Sequence, residues 1–348
     1  MTLAESLDIP LPDDAARTGV AERLARLDLP GAGFGGLTDA ISWAAGVQGT
    51  ANPASFSQVR VMLLAGDHAG GIAAGASPDE SSRRARAELA GTGPIARLAA
   101  QAGATLELVD AGLAGEPLAP DSTTRVRDGA APIDTDDACT AEQAADGFAL
   151  GRRLADSIAD SGVDLMLVAS LGAGAEVAAA AAAAYLTGAE PPGLLARVTG
   201  PDGRIDDAAW MRRCAALRDA LSRVRHRPHD PHTALAALGG PALAVATGLV
   251  LGAAARRTPV VLDGPVGLTA ALLARDIAGQ VSHWCMAPDT SRHPTSKMVA
   301  NWIGLEPFFD LRLDLGEGAA ALTTLPVLQS ALALAHTTEP APSSEAAE

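Results

Sequence analysis

Val59-Arg-Val-Met-Leu-Leu-Ala65 is a short, almost wholly apolar run, stopped abruptly by Gly66-Asp67-His68. A run of this length without polar alternation suits a strand of a parallel sheet buried on both faces. The same form recurs along the chain. Thr105-Leu-Glu-Leu-Val109 ends in Asp110, Asp164-Leu-Met-Leu-Val168 runs into Ala169-Ser-Leu-Gly172, and Pro259-Val-Val-Leu262 ends in Asp263-Gly264. Gln280 to Met286 is a weaker candidate strand. Ala-rich stretches with helical spacing lie between these runs, at 79–102, 141–161, 175–187, 207–223 and 241–256. Strands alternating with helices predict an α/β fold: a parallel sheet with helices on both faces.

Composition agrees with this reading. Aromatic residues are only 3% of the 348 residues, so Ala, Leu, Val and Gly must fill the core, which suits close helix–sheet contacts. The length allows one large α/β domain or two modest ones. The net charge is −15 and no Lys/Arg cluster stands out, which argues against a nucleic-acid partner. An anion would have to be held by local devices such as helix N-termini or single arginines. The first residues, MTLAESLDIPLPDD, carry neither a basic stretch nor an apolar core and do not read as a signal peptide. The apolar run Ala242 to Ala255 is too short for a bilayer and reads as a buried helix, so no membrane partner is expected. Cys139, Cys214 and Cys285 are far apart and form neither a CxxC pair nor a zinc pattern. They read as reduced thiols in a cytoplasmic compartment. Loops are expected at 115–137, 187–203 and 226–232. The last of these holds His226, His229 and His232, which read as a solvated loop in preference to a metal site. The tail 337–348 is expected to be disordered.

Ligands of open parallel sheets bind outside the carboxyl ends of the strands, so the strand endings are the candidate site. Asp67-His68 is either an oriented acid–base pair or a strand-end carboxylate that fixes a loop. Gly172-Ala-Gly174 follows a strand and opens a helix, a turn whose amides can face an anion. It is not a complete GxGxxG, because position 177 is Val, and it is no Walker loop, because no Lys-Ser/Thr follows. Leu315-Gly316-Glu317-Gly318 holds a carboxylate between two glycines. If partly dehydrated, Glu317 would have a raised pKa and could act as a base near neutral pH; otherwise it is a solvated turn residue.

Taken in order, these pieces resemble the nicotinate-nucleotide:dimethylbenzimidazole phosphoribosyltransferase family over roughly residues 15 to 335. The resemblance rests on Arg26-Leu-Asp through Gly31, Phe34-Gly35 and Leu37, on Gly66-Asp67-His68, and on Asp164 to Gly174. It continues through Asp206-Asp207-Ala-Ala-Trp210-Met-Arg-Arg213, Leu238-Gly239-Gly240 and Arg257-Thr-Pro-Val-Val-Leu-Asp263-Gly264. Gly304-Leu-Glu-Pro307 and Leu315-Gly-Glu317-Gly-Ala-Ala320 complete it.

The resemblance implies a Rossmann-like domain (51–300) with a small helical domain from the chain ends: an N-terminal segment 1–50 and a segment 301–336 carrying the catalytic loop. It also implies a homodimer and a reaction that needs no cofactor and no metal. In that reaction phosphoribose passes from nicotinate mononucleotide to a benzimidazole-type base, giving nicotinate and α-ribazole 5′-phosphate for the lower ligand of cobalamin. Glu317 would be the base. Substrate would be met by Asp67, His68, Ser170, Gly172, Gly174, Arg213, Asp263, Ser291, Arg292, His293, Leu315 and Gly316, with the 5′-phosphate near Gly172, Gly174 and Arg213.

The departures from the family pattern gather in the site. An N-terminal lysine is missing from Leu27-Asp-Leu-Pro-Gly31, and Gly66-Asp-His is followed by Ala69. The family's acidic residue is Ser170, its Asn-Thr-Thr is Ala175-Glu176-Val177, and its phosphate lysine is Arg213. Arg292 and His293 are new polar groups placed to meet an anion. Two alternatives follow: a paralogue with another donor or acceptor, or a catalytically inactive partner subunit of the same fold.

Overall fold

The computed structural model describes residues 8–119, 123–200 and 202–341. Five parallel strands form the sheet: β1 (Val59–Gly66), β2 (Thr105–Gly112), β3 (Leu165–Leu171), β4 (Val260–Leu262) and β5 (Cys285–Met286). Their order is β2-β1-β3-β4-β5. The order reverses at β1 and β3, and in open α/β sheets the ligand crevice lies outside the strand ends at such a switch point.

Alternation of side chains explains why the sheet is covered on both faces. Val59, Val61, Leu63, Leu165, Leu167, Ala169 and Val261 belong to one core. It is closed by α2 (Thr38–Gln48), α4 (Pro94–Ala102) and α12 (Ala319–Thr337). Met62, Leu64, Met166, Val168, Val260 and Leu262 face the other way. That core is filled by α5 (Ala141–Asp160), α6 (Ala175–Thr187), α9 (Gly240–Ala255), α10 (Gly264–Ile277) and α11 (Pro294–Ile303), with α7 (Asp207–Val224) outside them. The scarcity of aromatics has its counterpart where α5 meets α9: a Cβ on Gly151 would stand 2.1 Å from the Val245 carbonyl oxygen, so small residues bring the helices together. The apolar stretch 242–255 is buried as α9, with only Ala255 partly exposed.

The two ends of the described chain meet. Leu27, just after α1 (Asp14–Leu24), bridges Pro340, and the Asp28 amide donates to the Glu339 carbonyl. The helices they carry, α2 and α12, lie directly on the sheet.

Four expectations change. The single helix at 79–102 is two, α3 (Pro78–Leu89) and α4, because Gly91-Thr-Gly-Pro94 interrupts it and Pro94 starts the second. Of the candidate strand from Gln280 to Met286, only Cys285–Met286 pairs; the residues before it form a 3-10 turn. In the tail expected to be disordered, Thr337 closes α12 and the Ala341 amide donates to the Arg26 carbonyl. The remainder of that tail, 342–348, lies outside the described residues. In the histidine loop, Pro231–Ala234 forms a short helix, α8, and the His229 ring packs against Tyr185 with centroids 4.9 Å apart.

Candidate active site

Glu317 stands between the ends of β3 and β4. The Gly318 backbone lies against Ala169 of β3, and the Glu317 side chain lies over Gly264 at the end of β4. Its Oε1 accepts from the Val266 amide in the first turn of α10, at 3.2 Å. Its Oε2 has no hydrogen-bond partner among the described residues. Burial pushes this carboxyl up to about 8; Ser170 and the Val266 amide oppose the rise, and the charges of Asp263 and Glu176 add to it. A carboxylate with one free oxygen and a pKa near neutrality is a competent proton acceptor.

Asp263 fixes the loop that carries Glu317. Its Oδ2 accepts from the amides of Gly318, Ala320 and Ala321, at 2.9, 2.8 and 3.2 Å. A strand-end carboxylate therefore caps the N-terminus of α12 from outside that helix. Burial pushes Asp263 up to about 6, against the pull of those amides. Asp263 was expected to meet substrate; its carboxylate instead orients Glu317.

A cavity of about 530 Å³ opens beside this loop. Ser170, Leu171, Leu315 and Gly316 line one side, and Arg84, Glu88 and Ile95 line the other. Leu315 is 60% exposed, so it offers apolar surface at the mouth. Glu88 was not foreseen. It is buried, and its carboxylate accepts from the amides of Ile95 and Ala96, which caps α4 at the cavity wall. The cue in the sequence was Gly93-Pro94, because a Cβ at Gly93 would strike the Glu88 carboxyl.

The β1 ending is held by backbone from neighbouring loops. Asp67 is 2% exposed; its Oδ1 accepts from the Ala173 amide and its Oδ2 from the Ala114 amide. It therefore ties two loops together, the second of the readings weighed for it. His68 is buried with Nδ1 unpaired among the described residues, and burial holds its ring neutral by lowering its pKa to about 4. Gly172 sits where a Cβ would lie 1.8 Å from the Gly66 carbonyl oxygen, so its first need is close strand packing. Gly174 has φ +73 and caps α6. The Ala173 amide in this turn, already given to Asp67, is not free for an anion.

Arg213 was expected to hold the 5′-phosphate in place of the family's lysine. Its guanidinium is instead 8% exposed, with Nε donating to the Ala74 carbonyl and Nη1 to Glu176 Oε1. His293 Nε2 lies 3.5 Å from Glu176 Oε2. Burial raises Glu176, but His293 and Arg213 outweigh it and bring the carboxyl down to about 2. The sequence showed Glu176 only as a departure from a pattern. Ser291 accepts the His293 amide on its Oγ, and Arg292 is exposed. The fold thus brings Ser170, Leu315 and Gly316 to one cavity, sets Glu317 on the loop that follows Gly316 with Asp263 bonded to that loop, and places Arg213 and His293 against Glu176, while Asp67 and Gly172 are engaged by neighbouring backbone.

A parallel sheet whose strand-end crevice carries a poised carboxylate and, beside it, a buried arginine and a histidine gathered on Glu176 fits a group-transfer enzyme. The sequence profile of a phosphoribosyltransferase family matches residues 9–345, and the chain belongs to that family, a family of pentosyl-transferring enzymes. Among its relatives is the nicotinate-nucleotide–dimethylbenzimidazole phosphoribosyltransferase of Streptomyces avermitilis, 39% identical over 333 residues, covering 94% of this chain and 88% of that protein. The protein of the same name from Mycobacterium tuberculosis is 38% identical over 330 residues, with 93% and 90% covered. The crystal structure of the Thermus thermophilus protein of that name superposes with a TM-score of 0.84 at 27% identity, covering 94% of this chain and 97% of that one.

Proposed function

We propose that this enzyme transfers phosphoribose from nicotinate mononucleotide to 5,6-dimethylbenzimidazole or a related base, giving α-ribazole 5′-phosphate and nicotinate for cobalamin biosynthesis. The observation that carries the reading is Glu317: one carboxylate oxygen accepts from the Val266 amide, the other has no hydrogen-bond partner among the described residues, and a cavity of about 530 Å³ is lined by the preceding Gly316. The unprotonated ring nitrogen of the base attacks C1′ of the donor. The bond from C1′ to the pyridinium nitrogen breaks, and its electron pair neutralises that nitrogen in the departing nicotinate. The other ring nitrogen of the base gives its proton to Glu317, which releases it to solvent. The leaving group starts positively charged, so its departure requires no added acid. Ser170 stands beside the carboxyl, and Asp263 holds the loop in register.

The apolar Leu315 and the Gly316 backbone are proposed to border the aromatic base, and Arg213, Arg292 and His293 to serve the phosphate. Ser291 orients His293 through its amide. The small domain is proposed to comprise residues 1–50 and 301–336, flanking the Rossmann-like residues 51–300. The family resemblance further supports a cytoplasmic homodimer, for which light scattering should return twice the 35.0 kDa chain mass.

Incubating purified protein with nicotinate mononucleotide and 5,6-dimethylbenzimidazole tests the reading. Chromatography is expected to show α-ribazole 5′-phosphate and nicotinate in equal amounts. Folded protein that forms neither would overturn it in favour of another substrate pair or a silent subunit.

A further inference from the structure

The phosphate region of this site holds a carboxylate. Glu176 lies in the first turn of α6, immediately after the Gly172-Ala-Gly174 turn. One of its oxygens takes Arg213 and the other faces His293. Both of these partners are fixed. Arg213 is bolted to the Ala74 carbonyl at 2.8 Å, and His293 leads into α11 with its amide on Ser291 Oγ at 3.1 Å. Their side chains are 8% and 13% exposed, whereas that of Glu176 is 36% exposed. The anion is thus the least buried side chain of the cluster.

The geometry points to Glu176 as an internal competitor of the donor's phosphate: its carboxylate occupies the guanidinium and imidazole that a phosphate would use, and donor affinity depends on how readily it yields them. This rests on the phosphoribosyl reading above. The physical logic is twofold. A buried arginine without an anion is costly, so Glu176 keeps Arg213 paired while the site is empty. A carboxylate and a phosphate cannot share the same guanidinium and ring N–H donors without like-charge repulsion, so binding the donor means turning Glu176 outward. The released side chain has a direct route, because it is already partly in solvent. Phosphate exchanges one charge-assisted partner for another, and the donor binds more weakly than it would to unoccupied cations.

Calorimetric titration of inorganic phosphate and of ribose 5-phosphate into the full-length protein and its Glu176→Gln variant tests this. Glutamine keeps an acceptor for Arg213 and removes the charge. Both ligands are expected to bind about tenfold more tightly to the variant. The KM for nicotinate mononucleotide should fall by a similar factor, with a smaller change in kcat. Glu176→Thr, which removes the carboxylate altogether, should also tighten phosphate binding and covers the case in which the first variant does not fold. Adding Arg213→Met to either variant should abolish the gain. Phosphate binding that is unchanged or weaker in folded Glu176→Gln and Glu176→Thr overturns the inference. The binding arm does not depend on turnover. Tighter phosphate without product would remove the proposed reaction and keep the competitor; product without tighter phosphate would do the reverse.

Discussion

The Glu317 side chain lies across Gly264 so closely that a Cβ at Gly264 would stand 2.2 Å from the Glu317 Cγ and 2.5 Å from its Cδ. Gly264 also has φ +79, a conformation that costs glycine little and other residues much. The end of β4 is therefore shaped by the carboxylate above it. Gly264→Ala should displace Glu317 and lower kcat on the order of 10²-fold, the usual cost of a misplaced catalytic group. Circular dichroism should show the helices intact. An active, folded Gly264→Ala enzyme would mean that the position of Glu317 does not matter.

Asp263 acts one step further back. Removing its carboxylate in Asp263→Ala orphans the Gly318, Ala320 and Ala321 amides at the start of α12. A loss of about 1–3 kcal/mol in unfolding free energy is expected, the penalty for buried donors left unpaired. Because Gly318 adjoins Glu317, kcat should drop more than KM rises. Denaturant unfolding and steady-state kinetics read the two effects separately.

The rate should follow the protonation of Glu317. A base must be ionised to accept a proton, and burial holds this one at about 8 in the free enzyme. The value of kcat/KM should therefore climb with pH and level off above about 8. Glu317→Asp, if it keeps activity, should move that limb; a profile flat from pH 6 to 9 would place the base elsewhere.

Stability should show the opposite slope. The folded protein holds the Glu317 proton more tightly than the unfolded chain, at about 8 against the ordinary 4.5. The stabilisation associated with the protonated carboxyl is complete below about 4.5 and is lost as pH rises to about 8. Glu317→Gln does not titrate, so its Tm should exceed the wild-type value by a margin that grows over that interval and then stays constant. A margin independent of pH would contradict the raised pKa.

Much of this was legible in the chain. The runs at Val59, Asp164 and Pro259 announced buried parallel strands, because their apolar character continues on both faces, whereas the glycines flanking Glu317 left a base and a solvated turn residue equally open. What stayed hidden depends on groups distant in sequence. Asp263 looked like a ligand contact because its partners, three amides some fifty-five residues away, carry no side-chain signature. Arg213 looked free because its partners, Ala74 and Glu176, come from other segments. Glycine in Gly172-Ala-Gly174 suggested an anion turn, yet at Gly172 the demand comes from the Gly66 carbonyl of the neighbouring strand. The short β5 was beyond reading, since Cys285 and Met286 become a strand only by pairing with Val260 and Val261.

The most direct measurement is single-turnover formation of α-ribazole 5′-phosphate by wild type and by Glu317→Gln at pH 8.5, both shown folded by their melting curves. The account predicts product from the wild type and a rate reduced on the order of 10²–10⁴-fold in the variant, the usual contribution of a positioned general base. Equal rates from the two proteins would contradict the assignment of Glu317 as the base.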